Sequence, residues 1–140
     1  MILRSIYFIA FLSFTTVQIG YGQEIALISK SYQTCIDQNV PTTDAAMQCA
    51  QKAIVKYELL LNEKLYQLKE LVTQDTISLI ELNQEAWKKW EKAEIDFYSS
   101  CYQELYKGGT LGKTAILNKR MDLLKNRIED LEDKIELFKE

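Results

Sequence analysis

The stretch 117–138, LNKRMDLLKNRIEDLEDKIELF, decides the fold class. Leu117, Met121, Leu124, Ile128, Leu131, Ile135 and Phe138 alternate spacings of four and three, which puts them on one stripe of a helix with a heptad period. An identical stripe can fill a monomer's core or zip two copies together, and in a one-domain chain the core is the preferred expectation over a homodimer. Upstream, Lys107, Gly108 and Gly109 break the pattern. A basic residue suits the carbonyl end of a helix, and glycine takes the left-handed conformation that ends one. Before that break Ile80, Asn83, Trp87, Trp90, Phe97, Cys101 and Leu105 trace a third helix, set off by the cap-favouring run Thr73, Gln74, Asp75 and Thr76. Further back, Ala50, Ile54, Tyr57, Leu61, Leu65, Leu68 and Val72 mark one face of a long second helix, with Thr42, Thr43 and Asp44 as candidate N-caps. Ile25, Ile28, Tyr32, Cys35 and Ile36 give a short first helix that ends before Asn39 and Pro41. Short connections make successive helices antiparallel. The expected fold is therefore all-α: an antiparallel helical bundle of three long helices plus a short, disulfide-linked N-terminal helix.

The remaining sequence bounds the function. Residues 1–22 read as a signal peptide, with Arg4 as the positive end, an apolar run from Ile6 to Phe14 too short to span a bilayer, and small Gly20 and Gly22 before a cleavage site at Gln23. Residues 23–140 are then a single domain, periplasmic or secreted, with no stable membrane span. The 140-residue chain has 20 acidic and 17 basic residues, so nucleic acid is not an expected partner. Losing Arg4 with the signal leaves 16 basic residues against 20 acidic ones. Histidine is absent, which removes histidine bases, histidine metal sites and Ser/His or Cys/His nucleophile pairs. No cofactor is expected. Carboxylate pairs such as Glu81 and Glu85 are what an acid/base enzyme would have to use, and without a phosphate loop or ligand cluster the reading is non-enzymatic. Of three cysteines, Cys35 and Cys49 make the shortest closure and are the expected disulfide, and Cys101 is left over as a small buried hydrophobe, a reactive thiol or a dimer bridge.

Several short stretches then occur in a telling order: CIDQNVPTTDAAMQC with Cys35 and Cys49, LNEKLYQL with Asn62 and Tyr66, NQEAW with Gln84, Ala86 and Trp87, GGT with Gly108 and Gly109, and LLKNR with Arg127. Behind a signal peptide, this order resembles the lysozyme inhibitor LprI N-terminal-domain family, small exported helical domains of bacteria, over about Tyr32 to Leu131. The resemblance implies a helical bundle in the cell envelope and, for the member that names the family, inhibition of lysozyme. The family usually adds a second cysteine pair at positions that are Ile95 and Lys119 here, and often an arginine where this chain has Glu91. Both members of the second pair are missing together, which agrees with Cys35–Cys49 as the surviving bridge.

The signature residues Asn62, Tyr66, Gln84, Trp87, Gly108, Gly109 and Arg127 are read first as fold determinants: Trp87 in the core, Arg127 pairing with a carboxylate across the bundle. Binding is expected at the exposed glycine-rich turn, Lys107, Gly108, Gly109, Thr110 and Lys113, or on the acidic face of Glu129, Asp130, Glu132 and Asp133. That face is either simply solvated or a docking surface for a cationic partner. The functions that follow are a binding protein that inhibits a basic lysozyme, and, as the alternative, an envelope scaffold, adaptor or self-associating helical module.

Overall fold

In the computed structural model, which describes residues 22–107 and 109–139, the breaks in the apolar pattern fall between four helices: α1 (Gln23–Gln38), α2 (Thr43–Glu70), α3 (Gln74–Tyr106) and α4 (Thr110–Glu136). No strand occurs among the described residues. The segment read as a signal peptide lies outside them except for Gly22, and so does Gly108. Thr42 caps α2 as its residue type demands: its backbone is extended and its hydroxyl accepts the Ala45 N–H at 3.2 Å.

Burial follows from where the apolar stripes meet. The α2 face expected from sequence is the core: Ala50, Ile54, Tyr57, Leu61, Leu65 and Leu68 are all buried, and Val72 lies half-buried just beyond the helix end. Tyr57 is 1% exposed, and its hydroxyl shares a 2.7 Å hydrogen bond with Ser29 of α1, so its polar tip is satisfied inside the bundle. Against this face lies the heptad stripe of α4, with Met121, Leu124, Ile128, Leu131 and Ile135 in the same cluster. The stripe therefore fills the core of one chain. Phe138 is the exception, since α4 ends at Glu136 and the ring is exposed past it.

Cross-helix contacts fix the directions. Glu24 meets Lys64, and Ser31 meets Lys56, so α1 runs antiparallel to α2. Glu91 meets Arg120, and Gln84 meets Arg127, so α3 runs antiparallel to α4, while Glu58–Arg120 and Lys64–Glu132 show α2 and α4 running the same way. Cys35 and Cys49 form the disulfide that ties the end of α1 to the start of α2, with Cα atoms 5.8 Å apart. Cys101 is free and half-buried.

The third helix departs from the sequence reading. Of its expected stripe, Ile80 and Trp87 pack on the core, but Trp90, Phe97 and Leu105 are exposed. The face turned to the bundle follows Gln84, Glu91, Ile95, Tyr98 and Tyr102, largely polar, because the facing side of α4 carries Lys119, Arg120 and Arg127. A hydrophobic pattern cannot find a seam made of charges. The helix stop differs as well: the left-handed residue is Lys107, at φ 48°.

Replacing both Cys35 and Cys49 by Ala is expected to lower stability by about 3 kcal/mol, the loop-closure entropy released in the unfolded chain. The check is a fall in the urea midpoint with the helical spectrum retained.

Candidate functional site

Of the residues singled out by sequence, the structure brings Asn62, Tyr66 and Gln84 together. They line a groove of about 420 Å³ between α2 and α3, with Leu65 and Ile80 as apolar residues and Lys69, Glu81, Glu85 and Lys88 as charged ones. Two helices separated by one turn put these groups side by side: Asn62, Tyr66 and Lys69 share a face of α2 at helical spacing, and Glu81, Gln84, Glu85 and Lys88 share one of α3. Lys69 donates to Glu81 across the groove at 2.8 Å. Tyr66 is exposed, and Glu70, one turn on, raises its phenol above the ordinary value by hydrogen bonding and charge.

Arg127 sets the orientation of the groove's buried member. Its Nε and Nη2 donate to Gln84 Oε1 at 3.1 and 3.0 Å, Nη2 also to Asn83 Oδ1 at 2.7 Å, and Nη1 to Asp130 at 2.8 Å. Trp87 lies beneath the guanidinium, its ring centre 5.7 Å away. Burial lowers the Arg127 pKa, and Asp130 opposes that shift. With two donors on its oxygen, the Gln84 amide can be placed only one way round, and its Nε2 finds no acceptor among the described residues. Gln84 lines the groove at 7% exposure, and its unpaired Nε2 is buried from solvent.

The other sequence candidates lie elsewhere. Lys107, Gly109, Thr110 and Lys113 are exposed at one end of the bundle, and Gly109 and Lys113 border a smaller cleft of about 200 Å³ beside Tyr102. Gly109 opens α4, and a Cβ there would meet Tyr106 O at 3.2 Å, so the close approach of the chain explains the glycine. The acidic face needs a correction. Glu129 and Asp133 are exposed, but Asp130 is held by Arg127 and Lys134, and Glu132 is buried at 6% exposure.

Glu132 belongs to a charged cluster that the apolar pattern gave no reason to expect. Lys64, 8% exposed, sits on the α2 stripe between Leu61 and Leu68 and pairs with Glu24 of α1 and with Glu132 of α4 at 3.3 Å. Burial lowers the Lys64 pKa, but hydrogen bonds and charge from Glu24 and Glu132 outweigh this and leave it raised. The signal available in the sequence was a lysine at a heptad position, flanked by leucines.

The position of the family's second cysteine pair is also visible. Lys119 lies 3.6 Å from Glu94 and 4.3 Å from the ring centre of Tyr98, the residues around Ile95, so both positions flank the α3–α4 seam. Glu91, where the family often has arginine, accepts from Arg120 at 3.1 Å, and Arg120 also donates to Glu58 at 2.6 Å. Charge pairing holds the seam at these positions.

Two outcomes are expected. An Ile95→Cys, Lys119→Cys double variant should form a second bridge and gain about 3 kcal/mol, seen as a higher urea midpoint that reverts on reduction. For Lys64, a raised folded pKa means its contribution is complete below the ordinary value near 10.5 and is lost as pH climbs through the raised one. The stability difference between the protein and Lys64→Met should therefore shrink between pH 9 and pH 12, values bracketing the ordinary lysine range of about 10.4.

The model of the family described as lysozyme inhibitor LprI matches residues 35–131, which takes in the disulfide, the groove and most of the α4 stripe. Neither the curated proteins nor the solved structures contain a match. No described helix is long and apolar enough to cross a membrane.

Proposed function

The chain belongs to the lysozyme inhibitor LprI family, and from that premise we propose that it is an exported, non-enzymatic binding protein that inhibits a lysozyme-type glycan hydrolase and so protects the cell envelope. The observation that carries this reading is the α2–α3 groove. Its exposed rim of Asn62, Tyr66, Glu81, Glu85 and Lys88 offers polar contacts to a protein partner, and Arg127 fixes the buried Gln84 amide beneath them. Asn62 and Tyr66 frame the same opening, and both are residues on which the family resemblance rests. Lysozymes are typically basic and cut with two carboxylates in a cleft, so the acid excess of this chain favours encounter, and a helical wedge seated over the cleft blocks the glycan. Export is the reading supported by the signal-like residues 1–22 and by a disulfide of the kind that persists in oxidising compartments.

The test is lysozyme activity and direct binding with the oxidised protein at low and physiological salt. Saturable inhibition is expected, with affinity falling about tenfold or more in an Asn62→Ala, Tyr66→Ala variant, both positions being exposed and outside the core. Neutralising the exposed Glu129 and Asp133 should slow association at low salt and leave dissociation unchanged. Absence of binding at either salt, with the helical spectrum intact, overturns the proposal in favour of an envelope scaffold.

A further inference from the structure

The side of α3 turned away from the bundle carries a stripe of its own. Leu79, Asn83, Ala86, Trp90, Ala93 and Phe97 recur at alternating spacings of four and three, the pattern of a helix that pairs with another helix. All six are exposed, Leu79 at 68%, Trp90 at 50% and Phe97 at 63%, and Leu82 on the same side is 70% exposed. By helical geometry the stripe lies roughly 130° around α3 from the Gln84–Tyr98 face that meets α4. It is therefore separate from the contacts that build the monomer except at Asn83, whose Oδ1 accepts from Arg127 at 2.7 Å.

We propose that this face is the interface of a homodimer, in which two α3 helices pack antiparallel across a two-fold axis between Trp90 and Ala93. The stripe complements itself in size only in that arrangement. Trp90 of one copy lies over Ala93 of the other, and Phe97 over Ala86, so each large ring fills the space above a small residue, and the two-fold repeats both contacts. Parallel pairing would set Trp90 against Trp90 and leave Ala86 facing Ala86 and Ala93 facing Ala93 across gaps. The charges agree. Lys89 and Asp96 lie seven residues apart on one flank, and antiparallel pairing brings Lys89 of each copy to Asp96 of the other. Asp96 pairs with Lys92 of its own helix at 2.5 Å, and both side chains are exposed, so dimer formation exchanges that partner for Lys89 of the other copy.

The area is sufficient. The exposed parts of Leu79, Leu82, Trp90 and Phe97 offer on the order of 500 Å² of apolar surface per chain. Adding the alanines and the stem of Lys89 approaches the ~800 Å² per partner of a standard interface. The α4 stripe, by contrast, is spent inside the monomer. The groove holding Gln84 opens on another side of α3, so dimer formation and lysozyme binding stand or fall separately.

The experiment is sedimentation equilibrium on the chain expressed from Met1 and purified as the cell processes it, across the micromolar range. A reversible dimer is expected. Trp90→Glu should leave the helical spectrum unchanged and give a monomer, because the side chain is on the surface. Lys89→Asp should weaken association about tenfold, and adding Asp96→Lys should restore it by exchanging the two charges. Under oxidation the two Cys101 thiols should not cross-link, since antiparallel pairing sets them at opposite ends of the interface. A protein that stays monomeric throughout the range overturns the proposal. So does a Trp90→Glu variant as dimeric as the parent, or a Cys101–Cys101 bridge, which would require parallel helices.

Discussion

The seam between α2 and α4 sets the terms for the rest of the molecule. Tyr57, Leu124, Ile128 and Leu131 are its most completely buried large side chains. These two helices run in the same direction, and two parallel helices in one chain need a connection that returns the full length of the pair. α3 is that return. Its 33 residues must first be long enough, and only then well packed. This explains why the longest helix contributes just one fully buried residue, and a glutamine at that. α1, half as long, enters the core through Ile25 and stays there because its neighbour on α2 is the same apolar face that α4 uses.

Charge does for α3 what apolar burial does for the other helices. Arg127, and two turns earlier the neighbours Arg120 and Lys119, reach from α4 to Gln84, Glu91 and Glu94 on α3. Such a seam contributes little net stability, because each ion loses water to make its pair. It does specify register, since a shift by one turn would leave every arginine without its acceptor. Register is what the groove needs. The Gln84 amide is held to one orientation by a residue 43 positions away on another helix.

How far the sequence could be read follows from the same division. The faces of α2 and α4 were legible because apolar residues at helical spacing have one cheap destination, the interior. Thr42 as a cap and Cys35–Cys49 as the bridge were legible from local chemistry. The α3 contact face was not, because Gln84, Glu91 and Tyr98 carry no apolar signal, while Trp90 and Phe97 carry a strong one and lie outside. Glu132 looked like part of a solvated acidic run, and only the three-dimensional approach of Lys64 makes it a buried partner. The groove was half legible. Asn62, Tyr66 and Gln84 were singled out, yet nothing along the chain says that Gln84 shares one opening with residues about twenty positions before it.

α1 is fastened at its two ends by bonds of different kinds: sulfur to sulfur at Cys35, and carboxylate to ammonium at Glu24. The first yields to thiols and ignores salt, whereas the second yields to alkali and ignores thiols. No single mild change of surroundings releases both. A chain held in a reducing compartment keeps the charged clasp alone, so the far end of α1 frays first and uncovers the Cys49–Ala53 stretch of α2 beneath it. Closure of that last gap waits for oxidation, which makes the finished fold a record of the compartment in which it was completed.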